Sequence, residues 1–125
     1  MKLQDTLRNS EQHLEDTEKI RVYLCGVTVY DESHIGHART IIVFDVLRKY
    51  LESKGRKIEF IQNFTDVDDK IINKANEENT TAEKISTRYI ENYFRDFDGL
   101  NVKRATNYPK ATEHIEDIVK FIEKL

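Results

Sequence analysis

Two segments in the first half of the chain have the hydrophobic pattern of buried strands. KIRVYLCGV, residues 19 to 27, is nearly continuous in β-branched and aromatic side chains and ends at a glycine-containing turn. RKIEFIQNF, residues 56 to 64, alternates, with Ile58, Phe60 and Gln62 on one face. Both segments are short enough to be strands, and each is followed by a polar stretch. We therefore predict two strands, separated by a longer element.

The longer element, residues 38 to 55, has the spacing of an amphipathic helix, and Gly55 lies where a helix commonly ends. Its apolar positions recur every three or four residues: Ile41, Phe44, Leu47 and Leu51, with Val43, Val46 and Tyr50 beside them. Strand, helix and strand form a βαβ unit, whose strands should be parallel and whose crossover should be right-handed.

The second half of the chain is predicted to be helical. The first predicted helical segment, residues 65–79, begins with Thr65 as its N-cap. The second, residues 81–97, follows Thr80, which forms a capping box with Glu83. The last helix, residues 111–125, carries its apolar side chains on one face. A sheet of only two parallel strands is rarely stable, and the apolar face of the last helix needs a partner. The fold class is therefore α/β, the first part of a larger doubly wound domain, and residues 2 to 9 add a possible short strand.

Composition places the 125 residues in one domain of a globular protein. The net charge of −3 does not favour binding to a nucleic acid backbone by this chain unaided. The longest clean apolar run, from Ile41 to Phe44, is far too short to span a bilayer, and the first ten residues lack the layout of a secretory signal. We therefore expect no membrane partner and a cytoplasmic location. The single cysteine, Cys25, excludes an intrachain disulfide.

The candidate chemistry lies between the first strand and the helix, where His34 and His37 flank Gly36. Ligands bind open α/β sheets at the carboxyl ends of strands, and a helix N-terminus favours an anion. Histidines there can donate hydrogen bonds to phosphate oxygens, and a glycine lets a flat ligand approach the backbone. The pair alone leaves three interpretations open: a phosphate site, a weak metal pair, or a structural cap.

The neighbouring motifs decide between them. CGVTVYDESHIGHART, residues 25 to 40, followed by NFTDVDDKII, residues 63 to 72, resembles the cysteinyl-tRNA synthetases, a family of class I aminoacyl-tRNA synthetases. Two weaker stretches, DFDGLNV and RATNYPKATEHI, fit as well. The resemblance spans the whole chain but only about the first quarter of a family member. It implies a Rossmann-like nucleotide-binding fold, of which residues 1–125 are the N-terminal half.

The resemblance also implies an activity. Family members activate cysteine with ATP, accompanied by Mg²⁺, to form cysteinyl-adenylate, and then transfer cysteine to tRNA(Cys). His34 and His37 would be catalytic, stabilising the α-phosphate as the carboxylate attacks it and pyrophosphate leaves, with no enzyme nucleophile. His34, Ile35, Gly36 and His37 together would bind ATP, with Gly36 beneath the adenine.

Cys25 matches the first ligand of the family's Zn²⁺, which binds the thiolate of the substrate and so separates cysteine from serine. The alternative for Cys25 is a buried thiol at the end of a strand. Gly26 and Thr65 match positions that line the amino-acid pocket, although Thr65 could equally serve as an N-cap. Where the family often has proline, this chain has Val27, which we expect to be tolerated.

Other polar and aromatic clusters favour structural roles. Asp66, Asp68 and Asp69 suit the first turn of a helix better than a divalent-metal site. The aromatic residues of the third helix recur at helical spacing and are predicted to be core: Tyr89, Tyr93, Phe94 and Phe97. His13 and His114 are expected at the surface.

Several parts of the family's active site are missing from the sequence. The KMSKS loop, the other three zinc ligands and the anticodon-binding region all come later in family members. We therefore expect little or no aminoacylation by the 125-residue chain, and self-association through the unfinished sheet edge. Two alternatives remain: a cysteine-activating ligase of mycothiol synthesis with an amino-sugar acceptor, and a non-catalytic truncated paralogue that acts as a binding module.

Overall fold

The fold is built on a parallel pair of strands with helices packed against it. A computed structural model of the chain describes residues 1–14 and 17–125. Strand β3, Lys19–Thr28, pairs in parallel with β4, Lys57–Thr65, as the βαβ pattern predicted. The N-terminal segment differs from the prediction of one short strand. It forms an antiparallel hairpin of β1, Lys2–Asp5, and β2, Ser10–His13.

The helices follow the predicted order with shifted ends. The observed elements are α1 (Ile35–Ser53), α2 (Asp69–Glu77), α3 (Ala82–Gly99), a 3-10 turn (Ala111–His114) and α4 (Ile115–Ile122). Gly55 has a φ of 79° just beyond the C-cap of α1, a left-handed conformation that glycine adopts without strain. In the part of the chain that the structure describes, no helix is long and apolar enough to cross a membrane.

Two predicted N-caps were wrong. Thr65 is the last residue of β4, and the cap of α2 is Asp68, whose carboxylate accepts the N–H of Lys70 at 2.9 Å. Thr81 rather than Thr80 caps α3, and its hydroxyl accepts the N–H of Lys84. At α2 the earlier candidate is passed over because pairing with Thr28 keeps Thr65 in β4. At α3 the N–H of Thr80 donates to the carbonyl of Ala75 at the end of α2.

The core lies between the sheet and α2 and α3. Phe60, Gln62 and Phe64 of β4 are buried, which confirms the predicted alternation. The predicted aromatic core of α3 is also confirmed, with Tyr89, Tyr93 and Phe97 buried and Phe94 packed beside them. The Phe64 ring meets the Tyr93 and Phe94 rings edge to face, with centroids 5.1 and 5.6 Å apart.

The outer edge of β4 is covered by residues 106–110. The N–H of Gln62 donates to Asn107 at 3.1 Å, and the N–H of Phe64 donates to Pro109 at 2.9 Å. Among the described residues, by contrast, no strand pairs with the other edge of β3. The unfinished edge expected from the sequence is therefore the β3 edge alone.

Helix α1 buries charged rather than apolar side chains on part of its inner face. Asp45 accepts the N–H of Lys103 at 3.1 Å, and the Arg48 guanidinium donates to the carbonyl of Arg104 at 2.7 Å. Both charged side chains are buried. They tie the segment that follows α3 to α1, and so place it against β4.

The apolar surface of α1 is consequently narrower than its sequence indicates. Val43 and Val46 are 60% and 61% exposed, and Tyr50 is also exposed. The apolar face of α4 is exposed as well, including Ile118 and Phe121. The partner expected for α4 is not found among residues 1–14 and 17–125.

Tyr93 supplies the most sharply testable contribution to stability. Its buried hydroxyl donates to the Gln62 side-chain oxygen at 2.8 Å, and burial raises the pKa of Tyr93 well above its ordinary range. Tyr93→Phe leaves that buried oxygen without its donor, so we expect the free energy of unfolding to fall by about 1–3 kcal/mol. Urea denaturation measures the change. Tyr50→Phe, at an exposed tyrosine, is the matched control and should change stability by less than about 0.5 kcal/mol. Equal effects would contradict the assignment.

Candidate functional site

The candidate site is an open pocket of about 410 Å³ where β3 ends and α1 begins. It unites the carboxyl end of a parallel strand with a helix N-terminus, as the sequence predicted. Its lining residues come from three parts of the chain: Gly26, Val27, Thr28, Tyr30, Asp31, Glu32, His34, His37 and Lys70.

His34 and His37 cap the start of α1 reciprocally. His34 is the N-cap, and its Nδ1 accepts the N–H of Gly36 at 3.0 Å. The Nδ1 of His37 accepts the N–H of His34 at 3.4 Å. The two rings stack with centroids 3.8 Å apart. The cap and phosphate-site interpretations are therefore compatible, because both caps use Nδ1 and neither uses Nε2.

This capping fixes the position of the ring protons. An Nδ1 that accepts a hydrogen bond carries no proton, so each neutral ring must be protonated at Nε2. The Nε2–H groups are consequently the free donors of a pair whose side chains line the pocket. Two donors beside the positive end of a helix dipole suit a phosphate.

The surroundings favour the neutral form of His37. Burial lowers the pKa of His37, and the charge of neighbouring His34 lowers it further. Protonation at Nδ1 would also break the cap on His34. The neutral form of His37 is therefore favoured, and a permanent positive charge in the pocket must come from another group.

Gly36 is required by the position of the His34 ring. A Cβ at Gly36 would lie 2.8 Å from Cε1 and 2.9 Å from Nδ1 of His34. The ring would have to move, which would disturb its hydrogen bond to the Gly36 N–H. This reason for the glycine is independent of the predicted approach of adenine.

The charged groups of the pocket were not identified from the sequence. Lys70 of α2 brings a positive charge and lies 5.1 Å from the Tyr30 ring centroid. Asp31 and Glu32 bring negative charges, but Lys74 reaches Asp31 at 3.4 Å. The N–H of Glu32 and the charge of Lys74 hold the pKa of Asp31 below its usual range.

Glu32 is held by α3. The side-chain amide of Asn92 donates to it at 2.7 Å, and the Arg95 guanidinium lies 4.0 Å away. The loop before α1 is thus fixed to two helices that follow it by some 40 to 60 residues. Tyr30 and Asp31 belong to the quoted motif and could have been suspected from it. Lys70 belongs to the second quoted motif, whereas Asn92 carries no local signal, since only the tertiary fold brings it here.

Cys25 and Gly26 occupy a β-bulge near the end of β3. Leu24 pairs with Gln62 and Val27 pairs with Phe64, so two residues of β3 face the single residue Asn63. Cys25 is exposed, which excludes the alternative of a buried thiol.

The remaining predicted site residues lie around the pocket rather than in its lining. Ile35 is 87% exposed in the first turn of α1, and Gly36 is also exposed. Thr65 pairs with Thr28 at the end of the sheet, and its carbonyl accepts the N–H of Val29. The structure thus brings Gly26, His34 and His37 into one pocket, with Cys25 and Thr65 adjacent along the strands.

Two of the three aspartates after β4, Asp66 and Asp68, have structural partners. Asp68 and Asp69 lie at the start of α2, as expected, but Asp66 lies outside the helix. It is buried and accepts the N–H and the hydroxyl of Thr112, which anchors the 3-10 turn. Over the described ranges, no three or more His, Cys, Asp or Glu side chains are grouped to hold a metal ion.

Known proteins with a similar sequence cover this whole chain. Residues 11–125 match the family described as tRNA synthetases class I (C) catalytic domain. The cysteine–tRNA ligase of Caldicellulosiruptor saccharolyticus is 51% identical over 127 residues, and that of Archaeoglobus fulgidus is 48% identical over 128 residues. Each match covers 100% of this chain and 27% of the relative. The chain therefore spans about a quarter of the length of these relatives.

A solved structure confirms the fold class. Mycobacterium tuberculosis methionyl-tRNA synthetase, in complex with methionyl-adenylate, superimposes with a TM-score of 0.71. The match covers 77% of this chain and 19% of that chain, at 16% sequence identity. At that identity the likeness establishes the fold and nothing finer.

The lowered pKa of His37 predicts how it titrates. We expect the ring to titrate below about pH 6.5 by NMR, and His34→Asn to raise its pKa because the neighbouring charge is removed. Asparagine preserves an N-cap acceptor at position 34. His13→Asn, on the distant hairpin, is the control and should leave the titration unchanged. A His37 pKa that is insensitive to His34→Asn would contradict the coupling.

The lowered pKa of His37 also makes the stability of the fold depend on pH. Because folding lowers this pKa, the unfolded chain takes up a proton at higher pH than the folded chain. The lowered pKa of His37 therefore reduces the free energy of unfolding as the pH falls through about 6.5, and it has no effect on stability at higher pH.

The position of the His34 ring predicts the effect of Gly36→Ala. The new Cβ displaces the ring, so the amide of residue 36 should exchange faster with solvent and the His34 Cε1–H resonance should shift. Gly99→Ala is the control, since a Cβ there meets nothing within 4 Å. Overall stability is not the readout, because alanine in a helix can gain up to about 1 kcal/mol over glycine. An unchanged His34 resonance would show that the ring is not held as described.

Proposed function

The chain belongs to the class I (C) tRNA synthetase catalytic-domain family, and we propose that it forms the ATP- and cysteine-binding half-site of a cysteine–tRNA ligase. The reaction is the activation of cysteine by ATP, followed by transfer of the cysteinyl group to tRNA(Cys). The reciprocal capping of His34 and His37 is the observation that carries the proposal. It leaves two Nε2–H donors at a helix N-terminus, in a pocket at the end of a parallel strand.

The histidines stabilise the transition state electrostatically. The carboxylate of cysteine attacks the α-phosphorus of ATP, the bond to the pyrophosphate breaks, and negative charge on the phosphate oxygens is met by the two Nε2–H groups. The stacked rings and their caps hold these donors before the substrate arrives, so little reorganisation is needed. Gly36 and Ile35 place the first turn of α1 against the nucleotide, and Lys70 supplies positive charge in the same pocket.

The strand ends hold the amino acid. Gly26 lies in the bulge opposite Asn63, and Thr65 pairs with Thr28 two residues further along β3; both would contact the cysteine substrate. The Cys25 thiol is exposed and fits as one ligand of Zn²⁺, whereas the described residues offer no set of three or more ligands. When bound, zinc would hold the substrate thiolate and discriminate it from the hydroxyl of serine. The other ligands would come from outside the described residues.

The complete activity is proposed for a protein of the relatives' full length, of which this chain spans 27%. Mg²⁺ would accompany ATP, and tRNA would be bound mostly by other segments. By itself the chain should charge little or no tRNA, because half a nucleotide crevice holds ATP poorly. A cytoplasmic location, and self-association through the open edge of β3, remain predictions.

Titration calorimetry with a non-hydrolysable cysteinyl-adenylate analogue tests the proposal directly. We expect saturable binding to the 125-residue chain, weakened at least about tenfold when His34 and His37 are both replaced by asparagine, since two hydrogen bonds to phosphate are lost. The matched control replaces His13 and His114, both exposed, with asparagine and should bind like the unmodified chain. Absence of binding up to millimolar analogue, or equal binding by both double variants, would refute the half-site.

A further inference from the structure

We propose that Asn63 is a positioning residue for the amino-acid end of the site, because its side chain holds the bulge that presents Cys25 and Gly26. The inference rests on the proposed function for what these residues bind. The role of Asn63 within the strand pair stands on the geometry alone. The residues assigned above to the proposed half-site do not include Asn63.

The bulge changes which side chains of β3 face the core. Before it, Val22 and Leu24 contact the core, and after it Val27 and Val29 do so. A regular strand would alternate and turn residue 26 inward. The extra residue shifts the alternation by one position, so that neither Cys25 nor Gly26 is used for core packing.

Asn63 replaces the pairing that the bulge disrupts. Its side-chain oxygen accepts the N–H of Gly26 at 2.8 Å and the hydroxyl of Tyr23 at 2.9 Å. Its side-chain nitrogen lies 3.4 Å from the Thr65 hydroxyl and donates to it. One amide group therefore contacts both residues that we propose to bind the substrate cysteine, Gly26 and Thr65.

The fit between the strands requires the residue types found here. A Cβ at Gly26 would lie 1.5 Å from the backbone oxygen of Asn63 and 3.0 Å from its side-chain oxygen. The two strands approach so closely that the side-chain amide of Asn63 can reach the Gly26 N–H. Asparagine is depleted in strands, where β-branched residues usually pack better, so its presence in β4 calls for a polar role.

Four variants separate this role from general stability. Asn63→Leu removes the acceptor at similar size, whereas Asn63→Asp keeps an acceptor for the Gly26 N–H. Ile61→Ala, two residues earlier on the same strand, is the control for a simple loss of packing. Tyr23→Phe removes the second donor and leaves the bond to Gly26.

Amide hydrogen exchange of Gly26, referenced to Leu24 on the same strand, is measured first. Asn63→Leu should speed Gly26 exchange about five- to tenfold relative to Leu24, as expected for one lost hydrogen bond. Asn63→Asp and Tyr23→Phe should restore or retain protection, and Ile61→Ala should change both amides together. An unchanged Gly26-to-Leu24 ratio in Asn63→Leu, or equal loss in Asn63→Asp, overturns the proposal.

The second measurement compares two ligands in the same variants. Asn63→Leu should weaken the cysteinyl-adenylate analogue several-fold more than it weakens ATP, and Asn63→Asp should recover the difference. Equal weakening of both ligands overturns the positioning role. If the unmodified chain binds neither ligand, the proposed function fails, while the exchange experiment still decides whether Asn63 holds the bulge.

Discussion

The parallel pairing of β3 with β4 is the constraint on which the rest of the structure depends. Parallel strands cannot be joined by a hairpin, so α1 must carry the chain back along the sheet. Both strands then end at the same edge, and the segments leaving them begin α1 and α2 side by side. The pocket exists because of this arrangement, since its histidines follow β3 and Lys70 follows β4.

Elements whose identity depends on apolar periodicity could be predicted from the sequence. Strands β3 and β4, their parallel βαβ unit and the aromatic core of α3 are confirmed, because burial of apolar faces decides them. The ends of elements were less predictable. Thr65 resembles an N-cap locally, but pairing with Thr28 keeps it in the strand, and Asp68 caps α2 instead.

The candidate site was predictable where a motif is local and unpredictable where the fold assembles it. His34, Gly36 and His37 lie within four residues, and their order between strand and helix predicts a shared site at the N-terminus of α1. Their capping was left open by the sequence, because it depends on ring orientation. Asn92 could not be identified from the sequence, because only the packing of α3 brings it to Glu32. The burial of Asp45 and Arg48 was missed for the same kind of reason, since their partners are backbone groups of a distant loop.

The close approach at Gly26 limits how this strand pair can evolve. The atom that blocks a side chain there belongs to the main chain of the neighbouring strand, so no replacement of the Asn63 side chain can make room for it. Compensation would have to shift the backbone itself, for example by deleting one residue and restoring regular pairing. That change would restore the regular alternation of core-facing side chains in β3. It would also turn one of the two outward residues back toward the interior. Second-site suppressors of a Gly26 substitution should therefore be rare, and those found should alter chain length rather than side-chain chemistry.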